Sequence, residues 1–293
     1  MRTHARGCRG RCSSRARSVN ISFLKDGFPV RENGSLPQRL GRNSGRYAGE
    51  SLDAVAVLSS ICNAADRTGW HRDFSTVAGG ADLLAYRRRA VAAKKTLYLS
   101  AGIHGDEPAG PLAIATLLAE NVWPDTVDIW LCPCLNPSGL QLNTRENALG
   151  VDLNRDYRHL LAPEVEAHIG WLRNQPDFDV TICLHEDWEA NGFYLYEVNP
   201  DRRPSFAKQI VQTVDPLCPI ETAATVDGWE LKEGIIRPDI DPLQREQWPE
   251  ALFLIMNKTR LAYTLEAASD FAMQTRVQVL VSGVRTVLHE LAR

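Results

Sequence analysis

His104 and Glu107 stand three residues apart at the close of the apolar run from Thr96 to Ile103. An imidazole and a carboxylate on a turn that leaves a buried strand can both reach one metal ion. Of the seven histidines, only His104 has a glutamate three residues on. The pair gains weight from its company: Asn154-Arg155 follows Gly150-Val151-Asp152-Leu153, His185 ends a second apolar run, and Glu266 ends a third. Two imidazoles and one carboxylate would leave a zinc ion a fourth position for water, the arrangement of a catalytic rather than a structural site. A separate carboxylate must then move a proton, and Glu266 is the candidate base. Arg145, within Asn143-Thr144-Arg145-Glu146-Asn147, could face a developing oxyanion. Asn154 and Arg155 form a donor array suited to a free carboxylate.

Each of these residues also has a plainer reading. Glu107 could be a first-turn acid favoured by a helix dipole, and Asn154-Arg155 a cap or a surface pair. Arg155, Arg158 and Arg237 rival Arg145 as the cation, and Asp106 and Glu186 rival the chosen carboxylates. His71, His159, His168 and His289 have no partner at ligand spacing and are read as structural or exposed. Phe193, Tyr194 and Tyr196 alternate as in a strand, and core packing is preferred for them over a pocket wall.

The elements that must position this set follow from periodicity. Apolar residues at helical spacing predict a helix over 51–66. A hairpin follows, with Gly79-Gly80 as its turn. A strand over 96–101 leads into the His104 turn, and Pro108 opens a helix to about Leu118. Strands are expected at 127–131, 178–184, 192–197 and 261–265, and helices at 164–172, 204–214 and 271–291. The stretches 136–154 and 227–250, rich in Asn, Pro, Gly, Asp and Trp, are read as irregular. Strands alternating with helices predict a single α/β domain, a mixed and mostly parallel sheet with helices on both faces. In such sheets ligands gather at the carboxyl ends of the strands. His104, His185 and Glu266 all fall at such ends.

Composition sets the outer limits. The 293 residues are 44% hydrophobic and 24% charged, ordinary for a globular chain. No stretch approaches the roughly 20 apolar residues needed to span a bilayer. The net charge of −3 hides an asymmetry: residues 1–46 hold eleven Lys and Arg against two acids, which leaves −12 for the rest. This leader, rich in Gly, Ser and Arg and without an apolar core of the secretory kind, is read as an unstructured tail or as sequence ahead of the true start. A nucleic-acid-binding arm ranks below both. The catalytic domain is expected over 47–293. Seven cysteines form no CxxC pair and are read as reduced thiols, which makes the cytoplasm the default compartment.

Taken together, His104-x-x-Glu107, Thr144-Arg145, Gly150-Val151-Asp152-Leu153-Asn154-Arg155, His185 and Tyr263-Thr264-Leu265-Glu266 resemble the zinc carboxypeptidases, in the family's chain order over about residues 96–270. The resemblance implies one zinc per chain on His104, Glu107 and His185, with Glu266 as general base and Arg145 as transition-state cation. It implies that Asn154 and Arg155 grip the substrate carboxylate and that Asp152 orients the imidazole of His104. Two departures stand out. The digestive members use a tyrosine from a loop ahead of the base, and no tyrosine occurs here between Tyr196 and Tyr263. The chain is also short, closer to the compact branch that looks like succinylglutamate desuccinylase and aspartoacylase. The expected activity is hydrolysis of an amide next to a free carboxylate in a small peptide. N-acyl amino acid deacylation is the alternative, and zinc binding without turnover comes third.

Overall fold

The structure, a computed structural model, describes residues 36–293 apart from residues 44, 46, 48, 49, 51, 79 and 80. In chain order the elements are α1 (Ala54–Arg67), β1 (His71–Ala78), β2 (Ala81–Arg88), β3 (Lys95–Ala101), α2 (Ala109–Glu120), β4 (Val127–Cys132), α3 (Pro137–Leu142), α4 (Pro163–Arg173), β5 (Val180–Asp187), β6 (Tyr194–Val198), α5 (Ala207–Val214), β7 (Thr225–Val226), β8 (Trp229–Lys232), β9 (Ile235–Ile236), α6 (Glu250–Asn257), β10 (Ala262–Ala268) and α7 (Met273–Ala292). Short 3-10 turns occupy Leu153–Arg155 and Pro242–Gln244. The strands form one sheet in the order β1-β2-β4-β3-β5-β10-β6-β9-β8-β7. Its four central strands, β4, β3, β5 and β10, are mutually parallel. The hairpins β1–β2 and β7–β8–β9 extend it on either side, and β6 runs antiparallel to β10.

Why the central strands read as continuous apolar runs is clear from their two buried faces. Leu97, Leu99, Ile129, Leu131, Ile182, Leu184 and Leu265 point into one core with α1, α2, α5 and α7. Tyr98, Trp130, Cys132 and Cys183 point into the other, with α4 and Phe253 and Leu254 of α6. Alternate residues thus serve opposite layers. Helix α2 is buried along nearly its whole length, so it is apolar all round rather than amphipathic. At the start of α1 the Asp53 carboxylate accepts the Ala56 N–H at 2.9 Å.

Two expected features need restating. The stretch 136–154 is not a plain loop: Asn136 caps α3, accepting the Gly139 N–H at 2.8 Å, and the 3-10 turn at Leu153–Arg155 closes it. The stretch 227–250 contains the β8–β9 hairpin arm and a 3-10 turn. Both escape periodicity because elements of two to six residues show no repeat. Gly79 and Gly80, the expected hairpin turn, lie outside the described residues, but β1 and β2 pair up to Ala78 and Ala81 on either side of them. Of the leader, residues 1–35 lie outside the described residues, while Leu36–Asn43 are described. There the buried Asp270 carboxylate accepts the backbone N–H groups of Gly41 and Arg42 at 3.1 and 2.7 Å and pairs with Arg39 at 3.1 Å. Among the described residues, Cys62, Cys132, Cys134 and Cys183 form no disulfide. No described helix is long and apolar enough to cross a membrane.

Candidate active site

The chain turns out of β3 through Gly102, which has φ +61° and no room for a side chain: a Cβ there would lie 2.9 Å from Pro111 and 3.1 Å from the Cys134 sulfur. His104 follows, then Gly105, whose Cα lies against α3 so closely that a Cβ would fall 1.9 Å from the Gly139 carbonyl carbon. The turn is therefore seated directly on α3. Within it, His104 Nδ1 lies 2.5 Å from Glu107 Oε1. From the end of β5, His185 Nδ1 reaches Glu107 Oε2 at 2.9 Å, and the Glu186 N–H donates to the same oxygen at 3.1 Å. All three side chains are buried, and one donor atom from each lies within 4.8 Å of the others. A carboxylate flanked by two imidazole nitrogens is a donor set that suits a divalent transition metal. Burial opposes charge on Glu107, but His104 and His185 outweigh it and hold its carboxyl far below the usual range. It is thus in the ionised form that ligation needs.

Asp152 organises the other side of His104. Its Oδ1 lies 3.3 Å from His104 Nε2 and accepts the Asn154 N–H at 2.9 Å, while its Oδ2 accepts from Arg145 Nε at 2.9 Å. Burial works against ionisation here too, and His104, Arg145 and Arg155 overcome it, leaving Asp152 well below the ordinary carboxylate range. The approach to His104 Nε2 is within ion-pair distance without hydrogen-bond alignment, and a carboxylate so placed favours Nδ1 as the nitrogen that faces a metal. Arg145 is held by its backbone as well, since its carbonyl accepts from Asn136 Nδ2 at 3.2 Å. Its Nη1 comes within 3.8 Å of Glu107 Oε1 and 3.4 Å of His104 Nδ1.

Glu266 enters from β10, in register with His185 on β5 and with Tyr194 on β6. Burial, with Glu107, Asp187 and Asp227 acting against His185, pushes its carboxyl up to about 8. Asn154 and Arg155 reach the same cleft. The Asn154 Oδ1 accepts the Glu250 N–H at 2.9 Å, which leaves its amide NH2 free to donate. Arg155 is exposed and bends back to the Asn154 carbonyl. Together these residues line a cleft of about 620 Å³ at the carboxyl ends of the central strands.

The rivals fall away on contacts. Glu186 accepts the Ala109 N–H at 2.6 Å and pairs with buried Arg276 at 2.6 Å, tying β5 to α2 and α7 instead of joining the three converging donors. Arg237 pairs with Glu197 at 2.6 Å, and Arg158 donates to the Arg245 carbonyl. His71, His159 and His289 are exposed, and His168 is buried between Tyr98 and Tyr157. Asp106 lines the cleft without joining the donor set.

Sequence reasoning missed part of the wall. Tyr194 and Tyr196 both line the cleft, with ring centroids 5.7 Å apart, while Tyr194 also belongs to the core beside Phe193 and Tyr196 packs against it. Their period-2 spacing was the available signal, but not which face was covered. Asp227 and Trp229, on the β7–β8 hairpin, and Tyr47, whose hydroxyl donates to the Asp106 carbonyl, carried no local signal at all.

Residues 93–212 match the family model of the succinylglutamate desuccinylase/aspartoacylase catalytic domain. The chain is similar to metallocarboxypeptidases. It is 33% identical over 143 residues to murein peptide amidase A of Escherichia coli, covering 47% of this chain and 58% of that protein. It is 34% identical over 104 residues to carboxypeptidase SOL1 of Arabidopsis thaliana, covering 28% of this chain and 21% of that one. It thus spans less than two thirds of either relative. A candidate metallopeptidase from Shewanella amazonensis superposes with a TM-score of 0.70 at 22% identity, over 82% of this chain and 94% of that one, and shares the carboxypeptidase-like fold.

Proposed function

We propose that this chain is a zinc-dependent amide hydrolase that cleaves a bond next to a free carboxylate in a short peptide. The observation that carries the reading is the approach of His104 Nδ1 and His185 Nδ1 to the two oxygens of Glu107, with Glu266 beside His185 in register. Zinc fits this donor set, and when bound it acidifies water and polarises a carbonyl. The protein's own groups do the rest. Asn154 Nδ2 and Arg155 hold the substrate carboxylate, which fixes the amide over the metal site. Glu266, whose proton affinity is raised by burial, takes a proton from water as its oxygen bonds the carbonyl carbon. The Arg145 guanidinium faces the negative charge that develops on the carbonyl oxygen. Glu266 then returns the proton to the amine nitrogen as the C–N bond breaks. Asp152 keeps both His104 and Arg145 in place throughout.

A second reading, deacylation of N-acyl amino acids, is supported by the family model over residues 93–212. Both are tested by metal content together with hydrolysis of a panel of peptides and N-acyl amino acids. About one zinc per chain and chelator-sensitive cleavage of peptides is the expected result. Cleavage confined to N-acyl amino acids would favour the second reading, and no turnover with zinc bound would reject both.

A further inference from the structure

The charged groups of the cleft come from different segments. Arg145, Asn154 and Arg155 belong to the chain between β4 and α4, where Arg145 approaches Glu107 and His104 and Asn154 accepts from the start of α6. Asp187 at the end of β5, Tyr194 and Tyr196 on β6, and Asp227 and Trp229 on the β7–β8 hairpin belong to the wall on the β6–β8 side of the sheet. The Asp187 carboxylate accepts from the Tyr194 hydroxyl at 2.9 Å, and the Asp227 carboxylate from the Tyr196 hydroxyl at 2.9 Å. These hydroxyls orient the carboxylates and bring no charge. Among the described residues no Lys, Arg or His forms an ion pair with Asp187 or Asp227. Arg39, which reaches Asn191 on this side, is already paired with Asp270.

A separate observation points to a ligand at the same place. Glu266 is only 9% exposed, lines this wall directly opposite Tyr194, and receives no hydrogen bond from any described residue. Carboxylates such as Asp187 and Asp227, without an ion-pair partner among the described residues and lining the same wall as two tyrosines and a tryptophan, are the surroundings in which an ammonium group is held. An acyl chain leaves such carboxylates uncompensated, and a dicarboxylate is repelled by them.

We propose that the β6–β8 end of the cleft receives a free ammonium group carried on the acyl side of the scissile amide, so that the substrates are short peptides with an unblocked amine. This rests on the reading above, in which Asn154 and Arg155 hold the carboxylate. It disfavours N-acyl amino acids.

The test uses the full-length, zinc-loaded protein and the peptide that it cleaves fastest, in three forms: free amine, N-acetylated, and N-acetylated with lysine as the first residue. Acetylation is expected to lower kcat/KM by about tenfold to a hundredfold, the usual weight of a charged hydrogen bond. Recovery in the lysine peptide would identify a side-chain amine as the group recognised, and no recovery the α-amine. Asp227→Asn, which keeps a residue tolerant of its left-handed φ of +51°, should shrink the ratio between free and acetylated forms to within about threefold. Equal or faster cleavage of the acetylated peptide, or an unchanged ratio in D227N, overturns the inference while leaving the hydrolase reading intact. If no peptide is cleaved, the hydrolase reading fails separately. Calorimetry of the free and acetylated peptides on the zinc-loaded wild-type protein then decides the amine question, with equal Kd values counting against it.

Discussion

At the scale of single residues the site divides into groups that would touch substrate or metal and groups that hold them. Glu266→Gln removes a proton acceptor and keeps the shape, so metal content should stay at the wild-type level while kcat falls by about 10²–10⁴-fold. Turnover at the wild-type rate would dismiss Glu266 as the base. Asp152→Asn is expected to act on both His104 and Arg145, because one carboxylate serves both. Metal affinity should drop by about 10–100-fold in a chelator competition, and kcat should fall further even at saturating zinc. Retention of both would mean that the imidazole needs no such support. The linear sequence displays the identities of these residues but not their sharing. Arg145 and Asp152 are seven positions apart, and nothing in that spacing says that they meet across His104. Glu186 shows the reverse. Its place beside His185 makes it a candidate ligand, until strand alternation turns it to the opposite face and to Arg276 on α7.

Elements decide how tightly the turn at His104 is held. The contact between Gly105 and Gly139 joins the metal-bearing turn to α3 backbone against backbone. An added methyl group at residue 105 cannot be absorbed by a rotamer change, since what it meets is main chain. Gly105→Ala should therefore cost about 1–3 kcal/mol or more of stability and lower zinc content as well, read from a urea midpoint and metal analysis of the folded fraction. A variant with normal values for both would show that the turn can shift without harm. Helix α3 also explains an expectation that fell short. Six residues capped by Asn136 leave no periodic trace, so a structural support for the site passed for loop. The long buried strands, by contrast, announced themselves, because both faces of β3, β4, β5 and β10 are covered and their residues are apolar throughout.

Across the whole molecule, the layer opposite α1, α2, α5 and α7 contains an unusual buried group. His168 Nε2 lies 2.9 Å from the Tyr98 hydroxyl and its Nδ1 2.7 Å from that of Tyr157, while Glu250 accepts from Tyr98 at 2.8 Å. Burial pulls the His168 pKa down to about 3. The unfolded chain takes up a proton near pH 6.5 that the folded chain refuses. This residue's contribution is therefore complete above about pH 6.5 and is lost as pH falls toward 3, at up to about 1.4 kcal/mol per unit. Urea unfolding of wild type and His168→Gln at pH 7 and pH 5 checks this: the wild type should lose more stability than the variant over that interval. Parallel losses in both proteins would remove His168 as the cause.

The Asp270 anchor has a bearing on where foreign sequence can be attached. Arg39 is half exposed, and its ion pair adds little, but the two backbone N–H groups accepted by the buried carboxylate fix the path of Gly41 and Arg42. Just ahead of it, the Arg39 side chain donates to Asn191, which lines the cleft. A bulky group joined directly at Leu36, in place of the residues ahead of it, would consequently enter the fold a few residues from the doorway that substrate must use. Helix α7 starts just after β10 at that same end and runs 20 residues away from it, about 30 Å. Cargo joined to Arg293 hangs from the far pole and leaves the doorway clear.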